Sequence, residues 1–253
     1  MFAEPTKVAD EESREVVESD VYRLVDETLY ILNPYRGLQI VDVSNADAPR
    51  LMGRAEIPGY PREMYIDSPR NKAYVLVSDA PRYDEAANAF TESQLTVVDL
   101  DNPATSQSFQ IPGYIVESRQ VGDVVYVVSN EWRFDEASGM SGSYTTVKSI
   151  DVAGVAGPRL VASMELEGNS YQIHASSQYL FIANSHGWDD VGSTIRTLDI
   201  RDPKGQLAEL NKLWIPGEVR DRFQMNMDTD RGVLRVVSND WRTNSIYINT
   251  FSM

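Results

Sequence analysis

Two columns of chemistry-bearing residues recur along this 253-residue chain. The first is aromatic and basic: Tyr35-Arg36, Arg82-Tyr83, Trp132-Arg133-Phe134, His186-Gly187-Trp188 and Trp241-Arg242. Rings offer large contact area and stacking, and a guanidinium offers a forked set of donors, so these residue types suit recognition of a protein or a glycan. The plainer reading is that each ring packs on neighbouring structure and each arginine pairs with a local carboxylate. The second column is acidic: Glu63, Glu117 and Asp221, with Gln172 and Asp20 at corresponding places and Tyr65, Arg119, His174 and Phe223 two positions on. Carboxylates gathered from separate segments repel unless something neutralises them. Either a hard cation such as Ca²⁺ is held by Glu63, Glu117 and Asp221, or Arg62, Arg119, Arg220 and Arg222 pair with them. As reacting groups, Glu63, Glu117, Asp221 and His174 would make a hydrolase or lyase site.

Other chemistries are thinly supported. The chain has no cysteine and two histidines, which removes thiolate catalysis and cysteine-bound zinc. His174 and His186 plus a carboxylate would be the barest metal site. There is no Gly-x-Ser-x-Gly elbow, phosphate loop or dinucleotide fingerprint. A net charge of −15 disfavours nucleic acid and anionic membrane surfaces as partners. No run approaches the ~18 apolar residues of a membrane span.

The elements that must position both columns are repeats. Leu29-Tyr30-Ile31-Leu32-Asn33 then Leu38-Gln39-Ile40-Val41-Asp42-Val43 is echoed by Ala73–Ser78 with Leu95–Leu100, Val125–Asn130 with Val147–Val152, and Leu180–Asn184 with Ile195–Ile200. A fifth copy, Leu234–Asn239 with Ile246–Phe251, is incomplete. Ile57-Pro58-Gly59, Ile111-Pro112-Gly113 and Ile215-Pro216-Gly217 punctuate the copies. Short β-branched runs, four to a unit, at a period of roughly 40–55 residues predict an all-β fold, a β-propeller of four-stranded antiparallel blades. About five blades are visible, the last lacking its outer strand. Residues 1–15 read as a loose acidic arm and 16–253 as the propeller domain. The strands are lettered a to d from the centre outward. In this geometry the aromatic column falls in the b–c loops and the acidic column on strand a, at the channel mouth. The missing outer strand is expected from the segment around Glu15-Val16-Val17, or else the chain is part of a larger ring with exposed blade edges as its interface. The aspartates Asp42, Asp99, Asp151 and Asp199, each in the same place in its unit, read as scaffold that holds the following turn.

Leu38-Gln39-Ile40-Val41-Asp42-Val43-Ser44 with Pro49, and Ile215-Pro216-Gly217-Glu218-Val219-Arg220-Asp221-Arg222-Phe223-Gln224-Met225 followed by Gly232–Val237, carry a resemblance. The chain resembles the secreted bacterial and archaeal β-propeller domain family with LVIVD-type repeats. The resemblance implies an exported or envelope protein, with further blades usual after the second segment, and it carries over no catalytic residue. Met1–Val8 has neither the basic region nor the apolar stretch of a signal peptide, so an exported protein would be read here in mature form.

The expectation is therefore an extracellular or cell-envelope scaffold that binds a protein or glycan through Tyr35, Arg36, Arg82, Tyr83, Trp132, Arg133, Phe134, Trp188, Trp241 and Arg242. The competing expectation is a hydrolase or lyase at the channel mouth, with or without Ca²⁺.

Overall fold

The computed structural model describes residues 14–18, 20–83, 89–135, 140–154, 157–185 and 192–253. The chain opens with β1 (Val16–Glu18). The first sheet is β2 (Tyr22–Val25), β3 (Thr28–Asn33), β4 (Gly37–Asp42) and β5 (Arg50–Ala55). The second is β6 (Tyr60–Asp67), β7 (Lys72–Tyr83), β8 (Ala89–Asp99) and β9 (Ser106–Ile111). The third is β10 (Tyr114–Val121), β11 (Val124–Asp135), β12 (Met140–Asp151) and β13 (Arg159–Glu167). The fourth is β14 (Asn169–Ala175), β15 (Tyr179–Ser185), β16 (Gly192–Asp199) and β17 (Ala208–Pro216). A 3-10 turn, Arg222–Gln224, leads into the fifth, three-stranded sheet: β18 (Met225–Asp228), β19 (Val233–Asp240) and β20 (Ser245–Ser252). Every sheet is antiparallel in sequence order, as blades must be. No helix among the described residues is long and apolar enough to cross a membrane.

Alternation along the strands decides the packing. In β11, Val125 and Val127 face back to the second sheet and join Tyr65, Tyr74, Leu76 and Leu95 in one core cluster. Tyr126 and Val128 face forward and join Ile173, Leu180, Ile182 and Leu198 of the fourth sheet. The same division puts Tyr30, Leu32 and Leu38 against Met64, Val75 and Val98, and Phe181 and Ile195 against Met225, Leu234 and Val236. Four clusters thus lie at the four junctions between five sheets. Each sheet is dry only where a neighbour covers it.

The Ile-Pro-Gly punctuation has a steric cause. Ile57, Ile111 and Ile215 are buried, the proline ends strand d, and the glycine turns the chain inward with φ of 108°, 79° and 75°. A Cβ on Gly113 would lie 2.5 Å from the carbonyl oxygen of Asn130, and one on Gly217 2.8 Å from the carbonyl carbon of Asn239. Strand b of the new blade passes too close for any side chain.

The N-terminal segment corrects the sequence expectation. β1 does not complete the fifth sheet. It pairs antiparallel with β10, the innermost strand of the third sheet, in the register Val16↔Val121, Val17↔Gln120 and Glu18↔Arg119. Val16 packs into the core between the third and fourth sheets and Val17 into that between the second and third. Arg14 donates to the carbonyls of Ser177 (2.7 Å) and Ile200 in the fourth sheet's turns. The chain then bridges to Met64 through Asp20 (3.0 Å) before entering the first sheet. The physical reason is edge cover: β10 has an open inner edge in the middle of the array, and two valines there touch two cores at once. Val16→Ala combined with Val17→Ala is expected to lower unfolding free energy by about 2 kcal/mol, about 1 kcal/mol for each half-buried valine. A urea titration with an unchanged midpoint would show that β1 does not tie the sheets together.

Candidate functional site

Among the described residues, two of the b–c hairpins are extended well beyond the others. β7 with β8 and β11 with β12 run for 11 or 12 residues each, twice the length of β3 and β4. The ladder of the third blade continues through Trp132↔Ser143 and Phe134↔Ser141 to Asp135↔Met140. Six residues past Ser129 at ~3.3 Å each make an arm of about 20 Å. The second arm resumes after an irregularity between Val77 and Ala80, and its last rungs are Arg82↔Phe90 and Tyr83↔Ala89. Arg82 and Tyr83 therefore stand near an arm tip.

Trp132 and Phe134 alternate onto one face of the third arm and are 71% and 63% exposed. Arg133 points to the opposite face. It pairs with Glu131 and Glu165 and lies 5.4 Å from the centroid of the Tyr144 ring. These two carboxylates raise its proton affinity, mainly through their hydrogen bonds. Arg133 thus braces the arm against β13, and Trp132 and Phe134 are left as the presenting pair.

The short connections present rings by a different device. In the first blade, Asn33 Oδ1 accepts from the backbone N–H of Tyr35 (2.8 Å) and Arg36 (3.2 Å). In the fifth, Asp240 Oδ1 accepts from Arg242 N–H (2.9 Å) and Thr243 N–H (3.4 Å). Each Asx turn holds its aromatic outward, so Tyr35 and Trp241 are exposed alongside Arg36 and Arg242. Trp188 and His186 lie outside the described residues.

The sequence column missed several rings at this end. Trp214 in β17 is exposed and lies over the backbone of Gly192, where a Cβ would come within 2.6 Å of its indole Nε1. Tyr60 and Tyr114, each directly after an Ile-Pro-Gly glycine, are also exposed. Arg62 donates to the Tyr114 hydroxyl and sits 4.8 Å from its ring centroid. The signal was an aromatic flanking the punctuation motif at the same end as the b–c turns. Between the two arms opens a cleft of about 420 Å³ lined by Asp79, Glu92, Gln110, Tyr114 and Glu131.

The acidic column resolves into struts between blades. The inner strands β6, β10 and β14 each carry a bulge, between Pro61 and Glu63, Ile115 and Glu117, and Ser170 and Gln172. A bulge re-aims the residue that follows it, and all three side chains reach the next blade. Glu63 accepts from Ser118 Oγ, which also contacts the Tyr65 hydroxyl at 2.7 Å. Glu117 accepts from Ile173 N–H (3.1 Å) and from Arg119 (2.6 Å), whose side chain is 2% exposed. Gln172 donates to the Arg220 carbonyl (2.9 Å).

Asp221 lies off this column. It caps the 3-10 turn by accepting from Phe223 N–H (2.8 Å), and Gln224 answers from the other side. Glu63, Glu117 and Asp221 are therefore not brought together. Among the described residues no three acidic or histidine side chains form a group able to hold a metal. His174 of the fourth blade accepts from Met227 N–H of the fifth (3.4 Å) and stacks on Phe181. Of the four arginines expected to neutralise the column, Arg119 does so. Arg220 pairs with Glu218 at 2.5 Å, Arg62 goes to Tyr114, and Arg222 lies 5.1 Å from the Phe223 ring centroid.

The recurring strand-c aspartates hold the turns that follow them. Asp42 accepts from Ser44 N–H (2.9 Å), Asp99 from Asp101 N–H (2.9 Å), Asp151 from Ala153 N–H (2.9 Å) and Asp199 from Arg201 N–H (2.9 Å). Each also pairs with a cation: Arg50, Lys72, Arg159 and Arg201 respectively. Hydrogen bonds to Ser44, reinforced by Arg50, bring the Asp42 carboxyl down to about 2. Lys72 and Arg201 lower Asp99 and Asp199 in the same direction.

A family model described as a beta propeller domain matches residues 12–139. No curated protein matches the chain. A solved structure of a functionally unknown protein from Desulfotomaculum acetoxidans DSM 771 is 10% identical, over 95% of this chain and 83% of that one, with a TM-score of 0.35.

Two outcomes follow from these contacts. Glu117→Ala leaves Arg119 buried without its partner and is expected to cost about 3–5 kcal/mol by denaturant titration; a cost below ~1 kcal/mol would mean the pair is not a strut. The depressed aspartates stabilise the fold fully above their unfolded value of 3.8, and that contribution is lost as pH falls from there toward about 2. The melting temperature is expected to hold from neutral pH to about 4 and then drop. The drop should be shallower in Asp42→Asn, which keeps an acceptor for the Ser44 amide and removes the charge.

Proposed function

The chain belongs to the beta propeller domain family, and from that premise we propose that it is a non-catalytic binding scaffold, exported or displayed at the cell envelope. Its contact surface for a glycan or protein is the hairpin-arm end. The observation that carries this reading is the Trp132–Phe134 pair, exposed on one face of a projecting, braced arm. An exposed pair of large rings beside polar groups is the composition of a recognition surface. Arg133 ties the arm's other face to β13, which reduces the ordering required on contact.

The neighbouring cleft favours a glycan within this reading. Asp79, Glu92 and the Glu131 oxygen that Arg133 does not engage line it, on the arm face away from Trp132 and Phe134, as acceptors for sugar hydroxyls, and Tyr114 gives a ring on which a pyranose face can stack. Tyr35, Trp214 and Trp241 extend aromatic surface around the same end. The net charge of −15 and the lack of cysteine suit an exported protein that resists non-specific association.

Affinity electrophoresis through gels cast with neutral polysaccharides tests the site directly. Retardation of the wild type is expected, with at least a tenfold loss of affinity in Trp132→Ala/Phe134→Ala and a melting temperature within about 2 °C of wild type, because both rings are solvent-facing. Retardation that survives the double substitution, or a collapse of its melting temperature, would overturn this assignment.

A further inference from the structure

The repeat supplies an internal standard for burial, and two places fail it. On the forward face of each sheet, the strand-c residue opposite Leu32, Leu76, Val128 and Ala183 is Leu38, Leu95, Val147 and Ile195. All four are 0% exposed. The fifth sheet's equivalent, Ile248 opposite Val237, is 75% exposed, and Ile246 beside it is 70% exposed. On the backward face, the strand-a residue opposite Val75, Val127, Ile182 and Val236 is Met64, Ser118, Ile173 and Met225, at 3%, 0%, 0% and 2%. The first sheet's equivalent, Tyr22 opposite Ile31, is 61% exposed, and Leu24 is exposed with it.

These are core-type faces without a cover, and they are of opposite kind. A forward face is covered four times in this molecule, each time by the backward face of the following sheet. Among the described residues, the forward face of the fifth sheet and the backward face of the first stand exposed. We propose that a second copy of this chain docks its first sheet against the fifth sheet of its neighbour, head to tail, through the same packing that joins consecutive blades. One position departs from the repeat: Arg235 stands where Tyr30, Tyr74, Tyr126 and Phe181 stand. Asp228 pairs with it at 2.7 Å, so this arginine meets the incoming sheet as a partnered charge. The contact is heterologous, so it ends only when a ring closes; otherwise it continues. It is independent of the hairpin-arm reading, whose rings lie at the b–c end.

Sedimentation velocity and mixing of face variants test it. Wild type is expected to associate at tens of micromolar. Tyr22→Glu spoils only the backward face and Ile248→Glu only the forward face. Each variant alone should stop at two chains or fewer with at least a tenfold weaker self-association, and an equimolar mixture should restore tight pairing that halts at the dimer. A wild type that stays monomeric up to ~200 μM would overturn the proposal and assign the faces to a different polypeptide. A mixture no tighter than the single variants would overturn the head-to-tail geometry.

Because the chain has no cysteine, a second readout does not depend on charge substitutions. Ile31 and Ile248 correspond to Val236 and Ile195, which share one cluster. Ile31→Cys mixed with Ile248→Cys should give a disulfide-linked heterodimer on mild oxidation, and neither alone a homodimer. Equal yields of all three pairings would mean collision rather than docking.

Discussion

Everything in this molecule depends on one sheet face covering the next. No sheet encloses a core of its own, and each junction is closed by a forward set such as Tyr126, Val128 and Val147 against a backward set such as Ile173, Leu180 and Ile182. At about 25 cal/mol per Å² of apolar surface removed from water, a face left open forfeits stabilisation comparable to that of a whole junction. This explains why substitutions in the repeat keep the alternation even as identity changes, from Leu32 to Ala183 or from Tyr30 to Phe181. The packing constrains faces and leaves strand ends free, and the strand ends are where the arms grow.

Polar groups near the axis serve the same constraint. Two flat faces specify little about relative rotation, and apolar contact is not directional. The bulged inner strands add direction: Glu63, Glu117 and Gln172 each reach one blade forward to a hydroxyl, an amide or a carbonyl. His174 does the same toward Met227. The N-terminal strand acts across two junctions, since Val16 and Val17 enter different clusters and Arg14 reaches carbonyls of the fourth blade. Hydrogen bonds of this kind set register more than they add net stability.

The blade pattern was legible in the sequence because it is local. Alternation in Leu29–Leu32 and Leu38–Val41, and the aspartate closing each strand c, are determined within about fifteen residues of one another. The Asx turns followed from the same short range. The place of β1 was not legible. Three residues pair with a strand a hundred positions away, and nothing in Val16-Val17 distinguishes an inner edge from an outer one. The arms were hidden for another reason. Trp132 and Phe134 sit across from Ser143 and Ser141, and the partner run Ser141-Gly142-Ser143 has none of the apolar alternation that marks a strand. Asp221 falls in the same column of the repeat as Glu63 and Glu117, each four residues past a glycine, but Gln224 three residues later forms a capping box with it. That local signal outweighs the count.

The balance between binding and turnover rests on how the charged groups are engaged. Glu117, Asp42, Asp99, Asp151, Asp199 and Asp228 each hold a cation, and most also hold a backbone amide. In Asp42, Asp99, Asp199 and Asp228 these partners lower the carboxyl's proton affinity, the opposite of what a general acid needs. Arg133 and Arg235 are likewise engaged within their own blades. Among the exposed groups are the rings of Trp132, Phe134, Tyr35, Trp214 and Trp241. An apolar ring in water carries a standing cost that contact with another surface relieves. The charges bind blade to turn and blade to blade, while Tyr65, Tyr74, Tyr126 and Phe181 fill the junctions.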